Sequence, residues 1–170
     1  MLRPLASMLI AVPLLAQAPA PAPASDAFAP LRFLLGTWVG EGGGRPGQVS
    51  GEATFSLELG GHALIRRSWA ETPAAPGRPA SRHEDRIAIY PEGGQLRALY
   101  LDNEGHIIHY AVTASPDGVV FLSAPGPGPR FRLVYRRTGA ETVSLSFDIA
   151  PPGKPDVFTT YLQATTRRKP

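Results

Sequence analysis

The feature that most limits the fold of this chain is an apolar/polar alternation of period two, recurring from residue 36 almost to the C-terminus. Ala53, Phe55, Leu57 and Leu59 alternate with Glu52, Thr54, Ser56 and Glu58. Val143, Leu145, Phe147 and Ile149 alternate with Thr142, Ser144, Ser146 and Asp148, and Phe131, Leu133 and Tyr135 alternate with Arg130, Arg132 and Arg136 except at Val134. Successive side chains of a strand point to opposite faces, so each segment reads as a strand with one face buried and one wet. Further strands are predicted near 36–42, 62–71, 82–90, 95–102, 106–114, 118–123 and 156–167. Helical spacing occurs only between Asp26 and Leu35, where Phe28, Leu31 and Leu34 or Leu35 recur behind a Ser25 or Asp26 cap. One or two helical turns are predicted there.

Many short strands joined by turns form either a sandwich or a barrel. If each strand reverses against its neighbour, the tight turns at Gly60-Gly61, Pro91 to Gly94, Ser115 to Gly118 and Thr138 to Glu141 fall at one pole. The connections at 42–47, 72–80, 102–105, 123–129 and 150–155 fall at the other, and all but 102–105 are long and rich in proline or glycine. That asymmetry predicts an all-β, up-and-down antiparallel barrel of about ten strands, shaped as a cup with its loops around the mouth. The N-terminal helix is expected at the closed end as a plug.

Ahead of this domain, Arg3 precedes an apolar run from Leu5 to Leu15 and an Ala-Pro tract. Residues 1–24 read as a secretory signal cleaved before Ser25, leaving 25–170 as one barrel domain exported to the periplasm or beyond. The apolar run falls far short of the ~20 residues that span a bilayer, which argues against an uncleaved membrane anchor, and no other segment could cross one, so no membrane insertion of the mature chain is expected. The chain has no cysteine, which excludes a disulfide framework, a thiolate metal site and a thiol nucleophile. Its formal net charge of +3 sits partly in the signal and partly in the tail Arg167-Arg168-Lys169, so no basic face points to nucleic acid.

Gly36-Thr37-Trp38 matches the Gly-x-Trp opening of the lipocalins, and the longer Phe33-Leu34-Leu35-Gly36-Thr37-Trp38-Val39-Gly40-Glu41-Gly42 resembles the opening of nitrobindin-type barrels. The chain is thus similar, over about residues 26–168, to the calycin-like superfamily, and most of all to uncharacterised exported bacterial lipocalin-like proteins. The resemblance implies a barrel that binds small molecules. Physically, Trp38 would cover the barrel base, with Arg167 or Arg168 from the last strand against its ring. Nitrobindin-type barrels hold haem iron through a histidine close to the last strand. Residues 156–167 contain no histidine, so no haem is expected, although Tyr161 is a possible iron ligand in principle.

The alternation also selects the groups that face the mouth. His83 and Asp85 share a face with Ile87 and Ile89, Tyr100 and Asp102 with Leu96 and Ala98, and His106 with Ile108, Tyr110 and Val112. Strand reversal brings His83, Asp85, Tyr100, Asp102 and His106 together at the mouth, with Tyr110 deeper. The preceding strand adds Arg67, Trp69 and Glu71 from one face or Arg66 and Ser68 from the other, and Arg67 and Trp69 are taken as the candidates. Apolar groups below and hydrogen-bonding groups above suit a small, largely apolar ligand with a polar head.

Each residue also has a structural reading. The tyrosines can be core rings with a wetted hydroxyl, Trp69 can cover a loop, His83 with Asp85 can be an ion pair, and Asp102 can accept turn amide hydrogens. A site of His83, His106 and Asp85 or Asp102 would suit zinc or iron, but no compact ligand spacing marks one, and no metal is assigned. The same groups could move protons as a small acid–base enzyme. Small-ligand binding without turnover is the favoured expectation. The oligomeric state is not legible.

Overall fold

The computed structural model describes residues 26–41 and 50–170. The expected signal and the loop at 42–47 lie outside the described residues. Ten strands run in chain order: β1 (Gly36–Glu41), β2 (Ser50–Glu58), β3 (Ala63–Thr72), β4 (Ser81–Glu92), β5 (Gln95–Asp102), β6 (Ile107–Ser115), β7 (Gly118–Ser123), β8 (Arg130–Arg137), β9 (Thr142–Ala150) and β10 (Thr159–Arg168). Every strand pairs antiparallel with its sequence neighbour, and β1 pairs with β10, so the sheet closes into an up-and-down barrel. Among the described residues, closure leaves no free sheet edge to recruit another chain.

The N-terminal helix expected from the spacing is instead a single 3-10 segment, Ala29–Leu34, introduced by Pro30. Proline removes a donor and fixes φ, and six residues before a strand leave little room for α-helical bonds. With three residues per turn, Phe28, Leu31 and Leu34 fall on one edge, and all three are buried. They plug the pole where the tight turns lie, and the Arg137 guanidinium at that end of β8 sits 4.9 Å from the Phe33 ring. Gly36 then takes a positive φ of 105°, which carries the chain from the plug into β1.

The first and last strands lock together at this pole. Trp38 is opposite Arg168 in the β1–β10 register, and its indole Nε1–H donates to Leu34 O at 2.7 Å. Above the plug, Phe55, Tyr135, Phe121 and Tyr110 form a chain of edge-to-face rings with centroids 5.6, 6.2 and 6.0 Å apart. These rings, with Leu64, Ile87, Ile89 and Val119, fill the middle of the barrel and form the floor beneath the mouth.

Candidate functional site

The register of β3 through β6 decides which side chains meet inside. Leu64 pairs with Ile89, Arg66 with Ile87, and Ser68 with Asp85, so the even-numbered residues of β3 face inward. Arg66 and Asp85 are both buried, at 7% and 5% exposure. Arg67 and Trp69 stand on the outer wall: Arg67 is ion-paired with Glu58, and Trp69 packs under Arg82, whose guanidinium lies 4.7 Å from its ring. Arg82 is itself held by Glu71 and Glu84, so this wall is a network of paired charges. The structure therefore parts Arg67 and Trp69 from the other candidates and replaces them with Arg66 and Ser68.

Four of the remaining candidates, His83, Tyr100, Asp102 and His106, meet. His83 Nε2 lies 3.1 Å from the Tyr100 hydroxyl, which donates to Asp102 Oδ2 at 3.0 Å. His106 Nδ1 lies 2.8 Å from the same carboxylate oxygen, and His83 Nδ1 lies 3.0 Å from Glu104 Oε1. Asp102 Oδ1 accepts the backbone N–H groups of Glu104 and His106, at 3.0 and 2.9 Å, which shapes the β5–β6 turn around the left-handed Gly105. Asn103 clamps this turn to β4 on both sides of His83, accepting from Glu84 N–H at 3.0 Å and donating to Arg82 O at 2.9 Å. Backbone contacts thereby fix the Asp102 carboxylate, and the Tyr100 phenol and the two imidazoles are tied to one another and to it through side-chain contacts. Tyr110 lies deeper, 3% exposed, in the ring floor.

Burial tunes these groups. It pushes the Asp102 carboxyl up, but the His106 backbone and ring, the Tyr100 hydroxyl and the Glu104 N–H together hold it below the usual carboxylate range. Burial, then Asp85 and Asp102, raise the Tyr100 phenol well above its ordinary value, so it keeps its proton and donates it. Tyr110 is raised for the same first cause.

Below the turn lies a second polar centre. Arg66 Nη1 approaches Asp85 Oδ1 at 3.2 Å, Nη2 approaches Oδ2 at 3.4 Å, and Nη2 donates to Ser68 Oγ at 2.9 Å. The Nη1–Oδ1 contact is an ion pair but is too poorly aligned for a hydrogen bond, so Asp85 Oδ1, like Arg66 Nε and the Tyr135 hydroxyl, has no hydrogen-bond partner among the described residues. The guanidinium carbon is 5.9 Å from the Tyr135 ring centre. Burial pushes the Tyr135 phenol up to about 12.

The opposite wall is aromatic. Phe131 and Phe147 stack with centroids 5.9 Å apart, and Tyr161 meets Phe147 edge-on at 6.2 Å. Tyr161 is 75% exposed at the β10 bulge between Thr160 and Leu162. The mouth is thus polar across β3–β6 and aromatic across β8–β10. Alternation could have found Phe131 and Phe147, which share parity with buried Leu133. Nothing in the pattern marked Glu104, because a turn residue's direction is set by its hairpin.

Comparison with protein-family models finds no match, and neither does comparison with curated proteins.

Proposed function

We propose that this chain is an exported, calycin-like cup that binds a small, largely apolar molecule carrying a polar head. The observation that carries this reading is a set of polar atoms inside the barrel that lack a hydrogen bond among the described residues: Arg66 Nε, Asp85 Oδ1 and the Tyr135 hydroxyl. A buried polar group without a partner costs about 1–3 kcal/mol, and three gathered around one ion pair form a centre that a ligand's donors and acceptors would complete. Arg66 Nε donates, Asp85 Oδ1 accepts, and the phenol does either. The Phe131–Phe147 stack across the mouth supplies the apolar contact for the ligand body. The pairing of Arg66 with Asp85 makes the centre locally neutral, which favours an uncharged head such as an amide, alcohol or carbonyl over a full charge.

The test is native mass spectrometry of the chain purified from its own host. A co-purified small molecule retained by the native chain and lost from Arg66→Met is the expected result. An apo mass from the native host, with no thermal stabilisation of the chain by neutral amphiphiles, overturns the reading.

A second reading, an acid–base enzyme, draws on the continuous chain from His106 through Asp102 and Tyr100 to His83. In that case Asp102→Asn abolishes turnover while a substrate still binds, whereas a pure carrier yields product with none.

A further inference from the structure

We infer that the rim of the cup holds a divalent first-row transition ion between His83, Glu104 and Asp102, apart from the polar centre around Arg66. One ligand atom from each residue lies within 4.8 Å of the other two. The three come from the start of β4, the end of β5 and the turn that follows it. Zinc ligands stand about 2.0–2.2 Å from their ion and hence about 3–4 Å from one another, so only a small closure is required. Glu104, with its side chain 58% exposed, is free to supply it.

The direction of the hydrogen bonds says what is missing. Asp102 is a carboxylate and can only accept, so the Tyr100 hydroxyl spends its single hydrogen on Asp102 Oδ2. Its oxygen then accepts from His83 Nε2–H, 3.1 Å away. That tautomer leaves the Nδ1 lone pair of His83 facing Glu104 Oε1 at 3.0 Å, two electron-rich atoms in contact. A cation between them turns this contact into coordination. Metal-bound histidine ordinarily donates its second ring N–H to an oxygen that fixes its orientation, and here the Tyr100 hydroxyl is that oxygen. A second proton on the ring would bridge the same two atoms, and is the rival occupant.

The donor set selects the ion. One imidazole and two carboxylates suit zinc, manganese or ferrous iron better than calcium, which takes six to eight oxygens. Three protein ligands leave positions open toward the mouth, and His106 Nδ1, 2.8 Å from Asp102 Oδ2 and 3.9 Å from Glu104 Oε2, gives up its hydrogen bond to Asp102 when that oxygen takes the ion, which leaves its 61% exposed ring as a further donor. Asp85 approaches His83 from the inner side at 3.7 Å and adds negative potential behind the ring.

The experiment uses the full chain stripped with chelator and titrated with zinc alone, then with cobalt, whose visible spectrum reports nitrogen and oxygen coordination. Zinc is expected to raise the melting temperature and cobalt to give a coordination spectrum. Glu104→Gln and His83→Gln each remove both effects, and Tyr100→Phe weakens zinc about 10–100-fold. His62→Gln, at the far pole, leaves them unchanged. Glu104→Gln alters an exposed side chain, so it decides the matter if His83→Gln lowers the metal-free melting temperature. No zinc response in the native chain leaves only the proton and overturns the inference. So does a response that survives both substitutions. Because no organic ligand is present, either failure leaves the Arg66-centred reading untouched.

Discussion

The Arg168 guanidinium carbon lies 4.4 Å from the centre of the Trp38 ring, and the same group donates to Leu35 O and, at 3.0 Å, to Phe33 O. One side chain from the last strand thus closes the barrel seam, covers the base tryptophan and satisfies two carbonyls at the end of the plug. Arg168→Lys keeps the charge but loses the planar fork, and is expected to cost about 2–3 kcal/mol in urea denaturation. A loss below about 0.5 kcal/mol would place the strength of the seam in the strand pairing alone.

Gly36 reads out the same junction from the backbone side. A Cβ there would stand 2.8 Å from Arg168 Nη1 at a φ of +105°. Gly36→Ala is expected to destabilise by about 1–3 kcal/mol, seen as a lower urea midpoint at unchanged slope. An unchanged midpoint would mean that the plug and β1 rearrange freely.

Tyr135 separates stability from binding. Its hydroxyl is buried without a partner, so Tyr135→Phe should leave the ligand-free protein as stable or up to about 1–2 kcal/mol more so, while weakening any ligand that reaches the Arg66 centre. A clear loss of ligand-free stability in Tyr135→Phe would show that the hydroxyl has a partner in solution.

The same phenol sets an alkaline limit. Its pKa is raised by burial from 10.0 to about 12, so the unfolded chain releases that proton first as pH rises. The contribution of this group is complete below about pH 10 and is lost between there and about pH 12, at a cost of roughly 2–3 kcal/mol. Tyr135→Phe should flatten that slope in denaturation measured from pH 9 to pH 12. An identical slope would assign alkaline sensitivity to the other tyrosines.

Arg66 and Asp85 form a buried pair whose members depend on each other. Asp85→Leu strands the guanidinium and is expected to cost about 3–5 kcal/mol, whereas the double change Arg66→Met with Asp85→Leu should cost far less. A double-mutant cycle by thermal denaturation measures the difference. Additive losses would mean that the two charges are held by other partners.

Strand existence and turn position were legible because both are local. Alternation in β2, β8 and β9 follows from the pleat, and the glycines at 60–61 and 93–94 sit where a positive φ is needed. The plug was legible as an apolar edge but not as a 3-10 segment, since residues 28, 31 and 34 recur in either helix type. In β3 the pattern stayed ambiguous. Leu64 and Ile65 are both apolar, and only pairing of Leu64 with Ile89 turns Arg66 inward and Arg67 out.

What the sequence by itself determined is the alternating chain, its tight-turn and long-loop poles, and most of the residues near the mouth, because periodicity and turn chemistry act over a few residues. What only the tertiary structure decided is the facing of β3, the unpaired atoms around Arg66, and the arrival of Glu104 beside His83. Those depend on cross-strand register and on Asn103 clamping a turn to a strand about twenty positions away in sequence, and no local pattern encodes a contact of that span.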